Sequence, residues 1–184
     1  MGTRLWLCAL TDETIQLLIK DPSRIDAVIE RVAKPPPVQS ISPAIRLIKR
    51  LITRQRTAAE GDNMDIDKAW HGLHFLMTGT AWAGDPPLNF ILAGGTEAAS
   101  DDGSTTRLYL SNELREINRA LKSVDPSQLQ SAYNPSAMLK LNIYPGIWQR
   151  DAHGFEYCID HLAALKKFIA GAEQSGLGMV TILS

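Results

Sequence analysis

Apolar positions along this chain fall into one long stretch of helical spacing and several short runs. Phe155, Cys158, Ile159, Leu162, Leu165, Phe168, Ile169 and Ala172 follow one another at helical spacing. That spacing lays them along one stripe of an α-helix, and it is the strongest periodic signal in the chain. The predicted helix ends at Gly176, and GMVTILS after it reads as a final strand. TRLWLCAL (3–10) is short, apolar and bulky, and reads as an opening strand. The first and last strands are expected to pair, which brings the chain ends together. PLNFILAGG (87–95) and TTRLYL (105–110) read as two more strands, flanking a Gly/Ser/Asp-rich loop from Gly94 to Ser104 that is too long for a tight turn.

Helix starts share one grammar. Asp21-Pro22, Ser42-Pro43, Asp125-Pro126 and Asn134-Pro135 each place a capping side chain before a proline. Proline suits the first helical position because its φ is already fixed and its missing N–H is not needed there. Thr11 with Asp12 and Glu13 starts another helix, and Ser111 with Glu113 one more. Pro35, Pro36 and Pro37 stop the second helix. Helices outnumber strands and do not alternate with them. The expected fold is α+β: one domain over residues 1–184, helix-rich, with a small, mostly antiparallel sheet.

Composition narrows the class. The 184 residues are 45% hydrophobic and 21% charged, as in ordinary soluble domains. A chain of this length buries roughly 70% of the surface its unfolded form exposes, so it needs no disulfide or metal to fold. A net charge of −1 gives no global attraction to nucleic acid or anionic lipid. Cys8 and Cys158 lie among apolar residues without CxxC or zinc spacing. They read as reduced core thiols of a cytoplasmic protein. LWLCAL is too short for a signal peptide, and no apolar run is long enough to span a membrane.

One stretch carries candidate chemistry: DKAWHGLHFLMTG, residues 67–79. Read as a helix, it places Asp67, His71, His74 and Thr78 on one stripe beside the apolar Trp70, Leu73 and Met77. Gly72 leaves room for close packing. Two chemistries fit: a metal held by His71, His74 and Asp67, or a His71 base oriented by Asp67. The alternative is a buried helix whose histidines bond backbone carbonyls beneath the later segment NIYPGIWQRD. That alternative is favoured, since no third or fourth ligand, HExxH or cysteine pair supports a metal. Catalytic residues, metal and cofactor are therefore all assigned as none. If Tyr144 and Trp148 of NIYPGIWQRD pack on the Trp70 helix, any ligand pocket is expected among Asp67, Trp70, His71, His74, Tyr144 and Trp148.

A second feature is electrostatic. From Arg31 to Ala59 the chain has seven cations and no acid. Residues 43–56 form an amphipathic pattern, with Ala44, Ile45, Ile48, Leu51 and Ile52 on one face. Arg46, Lys49, Arg50, Arg54 and Arg56 read either as a solvated face balanced by Glu60, Asp62, Asp65 and Asp67 or as an electropositive patch for an acidic protein partner. A nucleic-acid role is not expected, because no recognised fold or aromatic-lined groove accompanies the charge. Neither Gly94-Gly95 nor Gly176-x-Gly178 forms a phosphate-binding fingerprint, and no GxSxG occurs.

Asp67, Lys68, Trp70, His71, Leu73 and His74, followed by Gly94 and Gly95 and then Tyr144, Pro145 and Trp148, resemble the pattern of the YfbM-like family, a bacterial domain of unknown function. The resemblance covers nearly the whole chain and is weakest over residues 34–60. It implies a small, cytoplasmic, single-domain α+β protein with no established catalytic mechanism, from a family associated with toxin–immunity gene neighbourhoods. The expected function is therefore non-catalytic: an immunity-type protein that neutralises a cognate bacterial toxin by direct contact. The second expectation, from another class, is a small-molecule or metal sensor or enzyme built on Asp67, His71, His74, Tyr144 and Trp148.

Overall fold

A computed structural model describes residues 2–33, 58–98, 103–150 and 152–184. The expected stop at Pro35–Pro37, the Ser42-Pro43 start and the basic helix with Arg46, Lys49, Arg50, Arg54 and Arg56 lie outside the described residues. The chain opens with β1 (Leu5–Leu10), α1 (Asp12–Lys20), a 3-10 turn at Pro22–Arg24 and α2 (Ile25–Ala33). Next come β2 (Asn63–Asp65), α3 (Ala69–Thr78), β3 (Thr96–Ala98) and β4 (Thr105–Tyr109). The remainder is α4 (Ser111–Ser123), α5 (Pro126–Ala132), α6 (Pro135–Lys140), α7 (Gly154–Gln174) and β5 (Gly178–Leu183).

Among the described residues five strands form one sheet in the order β2-β1-β5-β4-β3, and every pair in it is antiparallel. The chain's two ends form its centre. β1 and β5 pair over their full length, from Leu5 opposite Leu183 to Leu10 opposite Gly178. Side chains alternate between the two faces of a strand, and here both faces are covered. Leu5, Leu7, Ala9, Tyr109 and Met179 point into the larger core with α3, α4 and α7. Cys8, Leu10, Leu108 and Val180 point into the smaller core, with Ile15 and Leu18 of α1 and Ile25 of α2. The result is an α+β domain with helices on both sides of a small sheet.

Capping chemistry sets the helix ends. Thr14 N–H donates to Thr11 Oγ1 at 3.3 Å, Ser127 N–H to Asp125 Oδ1 at 2.9 Å and Ala137 N–H to Asn134 Oδ1 at 3.0 Å. Each bond occupies an amide that the helix leaves without a partner. Asp12, in the first turn of α1, reaches across to α4, accepting from Ser111 N–H at 2.8 Å and Ser111 Oγ at 2.7 Å. It thereby joins the helices on either side of the sheet.

Two expectations are corrected here. Residues 87–95 are not a strand but a run of turns. Its apolar residues act as a plug: Phe90 and Ile91 are buried, and Tyr109 Oη donates to the carbonyls of Phe90 (2.6 Å) and Ala93 (3.0 Å). The Gly94–Ser104 stretch is not all loop, because β3 pairs with β4 inside it. Gly94 and Gly95 make the entry to β3 with φ of 84° and 59°. A Cβ at Gly95 would stand 2.6 Å from the Leu108 carbonyl oxygen. Gly95→Ala is therefore expected to lower the unfolding free energy by about 1–3 kcal/mol, through left-handed backbone cost and a clash with main chain. Urea titration of both proteins checks this.

Candidate functional site

α3 is buried almost all round: Ala69 through Leu76 are all inaccessible or nearly so. Its close partner is Trp148, which is 1% exposed and donates from Nε1 to the Ile143 carbonyl at 2.7 Å. Gly72 makes the approach possible. A Cβ there would lie 2.5 Å from the Trp148 ring and 3.0 Å from Cys158 Sγ on α7. Trp70 and Trp148 therefore lie in one core. Tyr144 joins them, its ring 5.8 Å from that of Trp70.

His71 and His74 are fully buried. Being three residues apart on one helix, they face the same loop, residues 79–85. His71 Nε2 meets the Ala81 carbonyl at 2.8 Å, and His71 Nδ1 accepts from Tyr144 N–H at 3.0 Å. A carbonyl can only accept and an amide can only donate. The ring is thus neutral, with its proton on Nε2. His74 Nε2 donates to the Ala83 carbonyl at 2.8 Å, while its Nδ1 is buried without a hydrogen-bond partner. Burial lowers the pKa of both rings, and the bonds to Ala81 and Ala83 offset this only in part.

The loop they hold starts where Gly79, in the left-handed conformation, ends α3 with its N–H on the Phe75 carbonyl at 2.7 Å. Thr80 Oγ1 also donates to the Ala83 carbonyl, at 2.6 Å. Asn89 Nδ2 holds the Gly84 carbonyl at 2.8 Å. Between the two captured carbonyls sits Trp82. Its ring lies 4.4 Å from His71 and 6.4 Å from Trp70, yet Trp82 is 64% exposed. Sequence reasoning missed this residue. The available signal was a lone tryptophan inside the turn-rich stretch TAWAGDPP.

Asp67 is not on the helical stripe with His71. It precedes α3 with φ of 50° and faces the N-terminus and α7. Arg4 Nε lies 3.0 Å from its Oδ1, and Tyr157 Oη donates to its Oδ2 at 3.0 Å. Partial burial pushes the Asp67 carboxyl up, but the Tyr157 bond and Arg4 outweigh it and hold the group below its usual range. Among the described residues no group of three or more His, Cys, Asp or Glu side chains is placed to hold a metal ion. Burial pushes the Cys8 and Cys158 thiols up to about 12, so neither is a nucleophile near neutrality. A shallow cleft of roughly 120 Å³ lies elsewhere, lined by Pro87, Phe90, Gly95, Tyr109 and Glu113 among others. None of the six residues expected to line a pocket contributes to it. No helix among the described residues is long and apolar enough to cross a membrane.

Fold and site together define a small α+β domain with a closed aromatic–histidine cluster beneath one exposed tryptophan. The model of the family described as "Domain of unknown function (DUF1877)" matches residues 1–182, and the chain belongs to that family. It is 35% identical over 88 residues to "Protein YfbM" of Escherichia coli (strain K12), a match spanning 46% of this chain and about half, 52%, of that relative. The crystal structure of a protein of unknown function, YfbM from Escherichia coli, superposes with a TM-score of 0.67 at 19% identity, over 98% of this chain and 99% of that one. The likeness extends to the whole fold.

The neutral histidines give stability a pH dependence. In the unfolded chain they take up protons as pH falls through about 6.5. In the folded chain they do so only at lower pH. The unfolded state therefore binds more protons in that window. Stability is fully present above about pH 6.5 and declines as pH falls toward the folded-state values. The expected slope is up to about 1.4 kcal/mol per pH unit for each ring. Urea titrations across this range check it, and His74→Gln is expected to flatten the profile.

Proposed function

We propose that this protein acts by binding another protein, in the manner of an immunity protein that occupies a toxin's surface, and not by catalysis. The observation that carries this reading is Trp82. A tryptophan 64% exposed, held in place by a buried scaffold, is the residue type that most often anchors protein interfaces. Loop closure costs little at binding when the loop is already fixed, so more of the contact energy reaches the complex. The cations at Arg46, Lys49, Arg50, Arg54 and Arg56 support the same reading from sequence alone, since an acid-free segment suits an acidic partner.

The sensor or enzyme reading finds less support. His71, His74, Trp70 and Trp148 are buried, both ring nitrogens of His71 are engaged, and Asp67 is turned toward Arg4 and Tyr157.

Affinity purification from the source cells, followed by identification of what is retained, tests the proposal. Trp82→Ala is expected to weaken the complex by about 2 kcal/mol, roughly 30-fold, while changing stability by less than about 1 kcal/mol. Charge reversal at Arg46, Lys49 and Arg50 is expected to slow association and reduce its salt dependence. Retention unchanged in both variants would remove Trp82 and the basic segment from the interface. A bound metal or metabolite in the native mass, lost in His71→Ala/His74→Ala, would overturn the proposal in favour of the sensor reading.

A further inference from the structure

The binding reading leaves unexplained why the Trp82 loop is held by histidines. An asparagine or glutamine offers similar donors and never titrates near neutrality. Each histidine here donates Nε2–H to a loop carbonyl, Ala81 or Ala83. The second nitrogen is where a proton would go. On His71 that nitrogen already accepts from Tyr144 N–H at 3.0 Å. A proton added there would set two donors against each other. On His74 it is buried, with no hydrogen-bond partner among the described residues. Either protonation also places a cation in the core, next to a second ring of the same kind.

Among the described residues no nearby charge relieves that cost. Arg4 lies against Asp65 and Asp67, and Tyr157 bonds Asp67. His161 on α7 bonds the Tyr157 carbonyl at 2.8 Å. Cys158, facing Gly72 from α7, is a neutral thiol. Lys68 precedes the helix, α5 carries no charged residue, and Asp85 is exposed at the far end of the loop. None of these charges acts on His71, and the one charge acting on His74 is that of His71.

We propose that His71 and His74 form a proton-sensitive clasp: neutral, they fix the Trp82 loop and the Tyr144 segment; protonated at Nδ1, His71 loses the Tyr144 amide, and the loop opens so that water can reach the charged rings. This rests on the binding reading and adds its regulation, since the surface bearing Trp82 is assembled near neutrality and dismantled by acid. The hinge is local. Loop residues 82, 83 and 85 are exposed, whereas β1 and β5 lie in the middle of the sheet. Opening the loop exposes the ring nitrogens to water without parting the strands.

The test uses the isolated full chain and needs no partner, so its outcome is separate from that of the binding experiments. Nitrogen NMR of the histidine rings, with amide hydrogen exchange, is followed from about pH 8 to about pH 5. The expected result is an Nε2–H tautomer for both rings at the upper end. Below about pH 6.5, protection of the Tyr144 amide is expected to fall by about tenfold per pH unit, corrected for intrinsic exchange, while β1 and β5 stay protected. In His71→Asn the side-chain oxygen replaces Nδ1 as acceptor for Tyr144, and the pH dependence of that amide is expected to disappear. If this variant does not fold, the wild-type ring spectra decide alone. Tyr144 protection that holds to about pH 5 in the wild type, or that vanishes together with the sheet's, would overturn the proposal.

Discussion

Everything in this molecule depends on the antiparallel pairing of its first and last strands. β1 and β5 are the middle of the sheet: β2 hangs from the outer edge of β1, and β4 from the outer edge of β5. Pairing β1 with β5 closes a loop of more than a hundred and sixty residues and joins the β2–β1 pair to β5, β4 and β3. That closure is less costly than it looks, because the entropy of joining chain ends grows only with the logarithm of loop length. Register is then tightly specified. Leu5, Leu7 and Ala9 belong to one core and Cys8 and Leu10 to the other. A slip of one residue would exchange the two sets, and the exchanged residues differ in size. Both faces being buried, neither has solvent to absorb the error.

From that centre outward, each placement follows from the previous one. α7 runs into β5 through Ser175 and Gly176 and is fixed by the strand it precedes. It presents Cys158 to α3 at Gly72, the point where Trp148 also enters. This three-way contact sets how far α3 is rotated about its axis. The rotation sends His71 and His74 toward the loop and leaves Leu73 in the core. The loop carbonyls at Ala81 and Ala83 are captured as a consequence, and Trp82, between them, remains outside. An exposed tryptophan is thus the far end of a chain of contacts that begins at the sheet.

The parts of this legible in the sequence were those decided by neighbours in the chain. β1, β4 and β5 are short runs read as strands from their residues and α7 carries its own periodicity, while Thr11, Asp125 and Asn134 cap the helices they precede. The family resemblance drawn from Asp67–His74, Gly94–Gly95 and Tyr144–Trp148 also holds. The rest depends on distant partners. A short apolar run such as residues 87–95 has the same composition whether it is a strand or a plug. What decides it is the Tyr109 hydroxyl, which arrives from another element and takes the Phe90 and Ala93 carbonyls. β2 and β3 are three-residue edge strands with polar residues, and only their partners define them. Asp67 fits a helical stripe on spacing alone, but Tyr157, ninety residues later, draws it away.

The histidines show why a buried polar residue is better understood through its directions than through its burial. A phenylalanine at position 74 would fill a similar volume and avoid a nitrogen without a partner, whose desolvation costs on the order of 1–3 kcal/mol. It would also leave the Ala83 carbonyl without the bond that the core now supplies. Packing alone is non-directional and has no means of keeping a large aromatic out of the core. A donor on a rigid ring, itself locked by a tightly packed helix, fixes where a carbonyl points and so where the next side chain goes. The same property makes the arrangement conditional. His71 accepts the Tyr144 amide only while its Nδ1 is bare. An added proton would break that bond and, while leaving the Nε2–H bonds to Ala81 and Ala83 in place, would set a charge in the core beneath Trp82.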